Sequence, residues 1–169
     1  LSKNREHRKF EISENSYSVK VPNQLFQFAI KNNTLVKYDQ KGVPTEYQTF
    51  TRSKLLNISS NTKNPILFIQ AANEIRLVNI EGIPFGQITL PFNEVEDITA
   101  FTDDSGKTYI AVIDGLENNV YVYAISGQRV VDKILEGQSK VSVNSNGPQL
   151  RITTIVDQFV IQYYELELN

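Results

Sequence analysis

The chain repeats itself, and that limits its fold more than any single motif does. Four segments share one order: LFQFAIKNNTLVKYDQKGVP (25–44), ILFIQAANEIRLVNIEGIP (66–84), YIAVIDGLENNVYVYAISGQRV (109–130) and LRITTIVDQFVIQYYELE (150–167). Each reads as an apolar run, a short polar break, a second apolar run and a turn. The turn glycines Gly42, Gly82 and Gly127 recur at intervals of roughly 40 to 45 residues, and the fourth copy aligns its turn position with Glu167. A unit of that length cannot bury its apolar residues alone, so successive copies are expected to pack on one another.

The local chemistry of each copy is that of strands. The paired runs are rich in Ile, Val, Tyr and Phe, which suit a pleated surface, and no stretch sustains a 3.6-residue apolar period. The breaks Lys31–Asn33, Ala72–Asn73 and Gly115–Asn119 supply the Asn and Gly that tolerate positive φ in tight hairpins. A third strand follows each glycine: Val43–Phe50, Ile83–Leu90 and Arg129–Leu135. A weaker one precedes each hairpin: Lys54–Ser59, Asp97–Thr102 and Lys140–Ser145. The unit is therefore four strands, ordered from an inner strand through two middle strands to an outer one.

The middle strands select the architecture. A sheet with one wet face alternates apolar and polar residues. Ile66–Ile69, Tyr109–Ile113 and Val120–Ile125 are instead apolar on both faces, as sheets stacked between neighbouring sheets must be. We expect an all-β chain of about four four-stranded antiparallel blades, with a β-sandwich as the alternative. The blades are placed at 17–53, 54–92, 93–137 and 138–169, within one domain spanning 1–169. The last blade stops after its third strand. Its outer strand is expected from Lys9–Ser13, where Phe10 alternates with Ile12, and Tyr17–Val21 then becomes the first inner strand. Such pairing of first and last strands removes exposed edges and leaves either a small closed ring or an arc of a larger one.

The chain resembles PQQ-like and WD40-like β-propeller repeats, most closely in Asn119–Val131 and Thr34–Pro44, where a strand pair runs into an Asp/Ser-x-Gly-type turn. It departs from true WD40 repeats in having no Trp, so the Trp-Asp dipeptide is absent. It also looks like the C-terminal propeller region of large bacterial envelope proteins. That resemblance carries over no catalytic residues. It implies a periplasmic, cell-surface or secreted setting, with the cytoplasm left open.

Several function classes are disfavoured by composition. A net charge of −2 argues against nucleic-acid binding, which needs a basic face to displace counterions. The basic cluster Lys3, Arg5, Arg8 and Lys9 reads as a solvated arm. No apolar run approaches the length of a membrane span. The 169 residues include no Met, so the chain is expected to be processed or excised from something longer. Zero Cys removes disulfides, thiol catalysis and cysteine-ligated metals together, and no cofactor is expected.

Candidate chemistry is sparse. His7, the one histidine, sits in the basic arm, away from any triad partner. Thr102–Thr108 begins like a calcium loop at Asp103 and Asp104, but Lys107 falls on a ligand position, and a β-turn capped by Asp and Ser is the simpler reading. Glu94, Glu96 and Asp97 lie together before an inner strand. Paired carboxylates perform glycoside hydrolysis when different elements hold them on either side of a sugar, whereas three in one connection read as a solvated rim. Asn32-Asn33-Thr34 and Asn57-Ile58-Ser59 match the glycan acceptor pattern, and no Gly-rich phosphate loop occurs. The aromatics Tyr47, Phe85 and Phe92 fall at strand ends or connections, where they can stack on a sugar or anchor a protein. The expectation is a non-catalytic binding or structural module, with a protein or carbohydrate partner, using Tyr47, Phe85, Phe92, Glu94, Glu96 and Asp97. The alternatives are a carboxylate hydrolase and a calcium-dependent adhesion module.

Overall fold

The structure, a computed structural model, describes residues 16–21, 24–59, 62, 64–146, 149–158 and 160–167. Among the described residues there is no helix. The described residues form fifteen strands in four antiparallel sheets, each built from consecutive strands. The first sheet is β1 (Ser16–Val21), β2 (Gln24–Lys31), β3 (Thr34–Tyr38) and β4 (Pro44–Thr49). The second is β5 (Ser53–Ser59), β6 (Ile66–Ala71), β7 (Glu74–Val78) and β8 (Pro84–Thr89). The third is β9 (Val95–Thr102), β10 (Thr108–Asp114), β11 (Asn119–Ala124) and the two-residue β12 (Leu135–Glu136). The fourth has, among the described residues, the three strands β13 (Val141–Asn146), β14 (Gln149–Asp157) and β15 (Val160–Glu167). This is a propeller-type stack of blades. The expected donor Lys9–Ser13 lies outside the described residues.

Tight hairpins set the middle pairs. Asn32 and Asn33 take φ of 50° and 63°, so Lys31 faces Thr34 and the ladder runs back through Ile30↔Leu35 and Ala29↔Val36. In the next sheet the positive φ falls on Ala72 (56°), not on Asn73. An alanine there crowds its Cβ against the following carbonyl, a cost the ladder on either side outweighs.

The two faces of each middle strand serve different neighbours. On β6, Leu67 and Ile69 turn to the first sheet, where they meet Phe28, Leu35 and Val19. Ile66 and Phe68 turn to the third sheet and pack against Ile98, Ile110 and Val112. On β10 the division repeats, because Tyr109, Ala111 and Ile113 face Val141, Val143, Leu150 and Ile152 of the fourth sheet. Burial on both faces excludes the sandwich alternative. The outer strands β4 and β8 are mostly exposed, which is why they read as polar.

Side chains also tie successive inner strands together. Asn57 donates from Nδ2 to the Ile98 carbonyl at 2.8 Å, and Ser59 donates from Oγ to the Ala100 carbonyl at 2.9 Å. The Asp97 carboxylate accepts the Val141 N–H at 2.9 Å. Asn57 is thereby committed to the fold through the amide nitrogen a glycan would need. The stack runs first to second to third to fourth sheet. Among the described residues no hydrophobic cluster joins the fourth sheet back to the first.

One expected strand is broken. Arg129–Leu135 was expected to run as the outer strand of the third sheet; it forms an isolated bridge between Tyr123 and Arg129, then only Leu135–Glu136. The cause is side-chain parity. Val131 and Leu135 are both buried in the cluster shared with the fourth sheet. In a continuous strand Lys133 would share their face, and burying an unpaired ammonium costs far more than a few ladder bonds return. The chain leaves the sheet and Lys133 stays exposed.

Candidate functional site

Asn79 begins the turn between β7 and β8. Its Oδ1 accepts the N–H groups of Glu81 (3.1 Å) and Ile83 (2.8 Å), and the Gly82 N–H donates to the Asn79 carbonyl at 2.9 Å. Gly82 sits at φ 76°, and a Cβ added there would lie 2.4 Å from the Tyr47 ring. Tyr47, half-buried on β4, thus packs against this turn from the neighbouring sheet. Burial, then the charge of Glu81, raises the Tyr47 phenol above its ordinary pKa.

Immediately after this turn, β8 presents Phe85, which is 49% exposed. Phe85 and Asn79 form one wall of a cleft of about 360 Å³ between the second and third sheets. Ile66 and Asn64 belong to the same sheet's side, and Thr102 and Thr108 line the opposite wall. The two threonines face each other across the start of the β9–β10 turn with their hydroxyls 2.8 Å apart. The described lining contains amide, hydroxyl, aromatic and aliphatic groups and no ionisable side chain. Such a surface can hold an apolar or neutral polar group by contact and hydrogen bonds, but it offers no proton donor or acceptor of tuned pKa.

The other residues singled out in the sequence lie elsewhere. Phe92 is 8% exposed and belongs to the core, its ring centroid 5.0 Å from that of Tyr121. Asp97 is engaged by Val141 and lies 3.7 Å from the Lys140 ammonium. Glu94 and Glu96 are exposed at the start of β9, at the opposite end of the strands from the cleft. Of the six residues, the cleft takes only Phe85.

The loop at Asp103 is a side-chain-capped turn. Asp103 Oδ1 accepts from Ser105 Oγ (2.7 Å) and the Lys107 N–H (2.9 Å), and Gly106 takes φ 84°. The slight burial of this carboxyl would raise its pKa. The Ser105 bond, the backbone N–H groups of Lys107 and Ser105, and the Lys107 charge together outweigh that and lower it. Asp104 is exposed, and among the described residues no three His, Cys, Asp or Glu gather as metal ligands. A larger hollow of about 610 Å³ opens between the first and second sheets near Phe50, Arg52 and Arg76. There the Arg76 guanidinium is already held by Glu74 at 2.6 Å and by Gln87.

Sequence reasoning missed Asn79, Asn64, Thr102 and Thr108. None is titratable, and each looks like ordinary turn chemistry until two sheets bring them together. The available signal was positional. Asn79 aligns with Asp39 in the preceding repeat, where the same turn is capped by the same two bonds, so the repeat marks that end of the blades as built alike.

No family model matches this sequence. No curated protein is a significant match either. Solved structures do match it. BBS1N, crystallised in complex with ARL6DN, superposes with a TM-score of 0.63 at 11% identity, covering 89% of this chain and 53% of that one. A catalytically inactive virginiamycin B lyase from Staphylococcus aureus, with quinupristin, gives 0.49 at 17% identity, covering 94% and 59%. The chain thus spans about half the length of the first of these structures. At 11% identity the likeness to BBS1N concerns the fold alone, which is of the β-propeller type.

Proposed function

We propose that this chain is a non-catalytic propeller-type binding module, a unit of a larger exported bacterial protein, and that it holds a protein partner at the cleft beside Phe85. The observation that carries this reading is the half-exposed Phe85 ring at a cleft whose described lining has no ionisable group. An aromatic fixed on a strand between two packed sheets loses little freedom on binding, which makes it a suitable anchor for an apolar side chain. BBS1N is crystallised with a protein, ARL6DN; that belongs to BBS1N and serves here only as a precedent for the fold. The hydrolase alternative would need Glu94, Glu96 and Asp97 to converge on a substrate, and none of them lines the cleft.

The test is a peptide-display screen and a glycan array on the purified chain, followed by titration with Phe85→Ala. A peptide ligand that binds at least about tenfold more weakly to the Phe85→Ala form is the expected result. A glycan ligand with the same dependence would move the partner class to carbohydrate. Hydrolytic turnover abolished by Glu94→Gln or Glu96→Gln would replace the reading with an enzymatic one.

A further inference from the structure

Four turns at one end of the sheets share a single geometry, led by Asp39, Asn79, Asp103 and Ala124. In each, the leading residue accepts at its carbonyl, at 2.9 Å, the N–H of a glycine three places on: Gly42, Gly82, Gly106 or Gly127. It donates its own N–H to the carbonyl of the residue after that glycine, and all four glycines take positive φ. The side-chain cap recurs as well. Asp39 Oδ1 accepts the N–H of Val43 and Asp103 Oδ1 that of Lys107, as Asn79 Oδ1 accepts that of Ile83. Aspartate thus caps this turn as well as asparagine does, and the turn gives no reason for the amide at position 79.

The cleft supplies one. Asn79 lines it, and the turn uses the residue's N–H, its carbonyl and its Oδ1. The backbone donors on Oδ1 also fix which way the amide faces. What Asn79 has left to offer is Nδ2, which has no acceptor among the described residues. On the opposite wall Thr102 and Thr108 share one proton across their 2.8 Å contact, so the proton of the other hydroxyl is unspent among the described residues. Ile66, Phe85 and Ile125 supply apolar surface. A carboxylate at position 79 would replace the donor with a second acceptor and bring a charge to a wall whose described members carry none.

We propose that Asn79 sets the specificity of this cleft: its Nδ2 donates to a carbonyl oxygen of the partner, and a neutral aliphatic side chain beside that carbonyl packs on Ile66, Phe85 and Ile125. The inference rests on the partner-binding reading of the cleft and narrows its occupant to an uncharged apolar stretch of peptide. Hydrogen-bond complementarity selects the carbonyl, because donors left over in the lining need an acceptor once water is displaced. Charge selects against the rivals. A lysine or glutamate side chain entering the cleft would lose its hydration and meet no counter-charge among the described lining residues. A peptide brings both required groups together, since every residue carries a carbonyl next to its side chain.

Titration of the 169-residue chain with the N-acetylated, C-amidated tripeptide Gly-Leu-Gly, followed by NMR, tests this. The leucine probe is expected to shift the Asn79 side-chain amide and the methyl groups of Ile66 and Ile125. The matching lysine and glutamate tripeptides are expected to bind at least about tenfold more weakly. Asn79→Asp keeps the turn, as Asp39 shows, so the Gly82 amide should retain its protection from exchange. In that variant the leucine probe should lose about tenfold in affinity and the lysine probe should become the tighter of the two. Binding of the probe or of a display-selected peptide that needs Phe85, yet leaves the Asn79 amide unshifted or keeps its affinity and order of preference in Asn79→Asp, would overturn the role of Asn79 and leave the cleft as the binding site. Binding indifferent to Phe85→Ala would remove the cleft reading itself.

Discussion

Tyr123 stands on β11 with its ring among Phe68, Ile98 and Ile110, in the cluster between the second and third sheets. Burial is the main reason its phenol is pushed up to about 12; the Arg129 charge pulls it down and Tyr121 raises it. The unfolded chain would ionise the same phenol near 10.0. The folded form therefore binds the proton more tightly, and the sign follows. The associated stability is fully present below pH 10 and declines as pH rises towards 12, by about 2 kcal/mol. Urea unfolding followed from neutral to alkaline pH is expected to show a smaller decline for Tyr123→Phe than for the wild type; equal slopes would refute the assignment. Other single residues were partly legible beforehand. The turn glycines Gly42, Gly82 and Gly127 all take positive φ, as their place between strands required. Ala72 was not legible, because nothing in an Ala-Asn pair says which residue the hairpin twist will place in the left-handed region.

At the scale of elements, strand parity decides most outcomes. The runs Ile66–Ile69 and Tyr109–Ile113 were readable as doubly buried because apolar residues occupy both parities, and both are buried throughout. The outer strand of the third sheet was misread for the same reason in reverse. RVVDKIL looks apolar as a composition, but Val131 and Leu135 share a parity with Lys133. Replacing that lysine tests the explanation. Lys133→Val is expected to let residues 131–135 continue the ladder, lengthening β12 and slowing hydrogen exchange at amides 131–134 by tenfold or more. Exchange at those amides as fast as in the wild type would mean that Asp132, or the Arg129 bonds to the Val131 and Asp132 carbonyls, is what holds the segment off the sheet. The cleft lay beyond this kind of reading. Its walls come from the ends of strands in two sheets, and their approach depends on how far each sheet is rotated on the next, which no periodicity encodes.

For the molecule as a whole, the three hydrophobic clusters among the described residues each join two neighbouring sheets, first to second, second to third and third to fourth. Stability in such an array is close to a sum of sheet terms and nearest-neighbour contacts, so damage should stay where it is made. Ile152 is fully buried in the cluster between the third and fourth sheets, and Phe68 is fully buried between the second and third. Truncating either to alanine removes a comparable amount of packing, about 2–5 kcal/mol. The consequences should nevertheless differ. Ile152→Ala releases an end sheet, so hydrogen exchange should accelerate through β13, β14 and β15 while β6 and β7 keep their protection. Phe68→Ala cuts the array in the middle, leaving two sheets on either side, and protection should fall on both β6 and β10. If Ile152→Ala lowered protection equally in all four sheets, the chain would be one cooperative unit and the line of pairwise contacts would not describe its energetics.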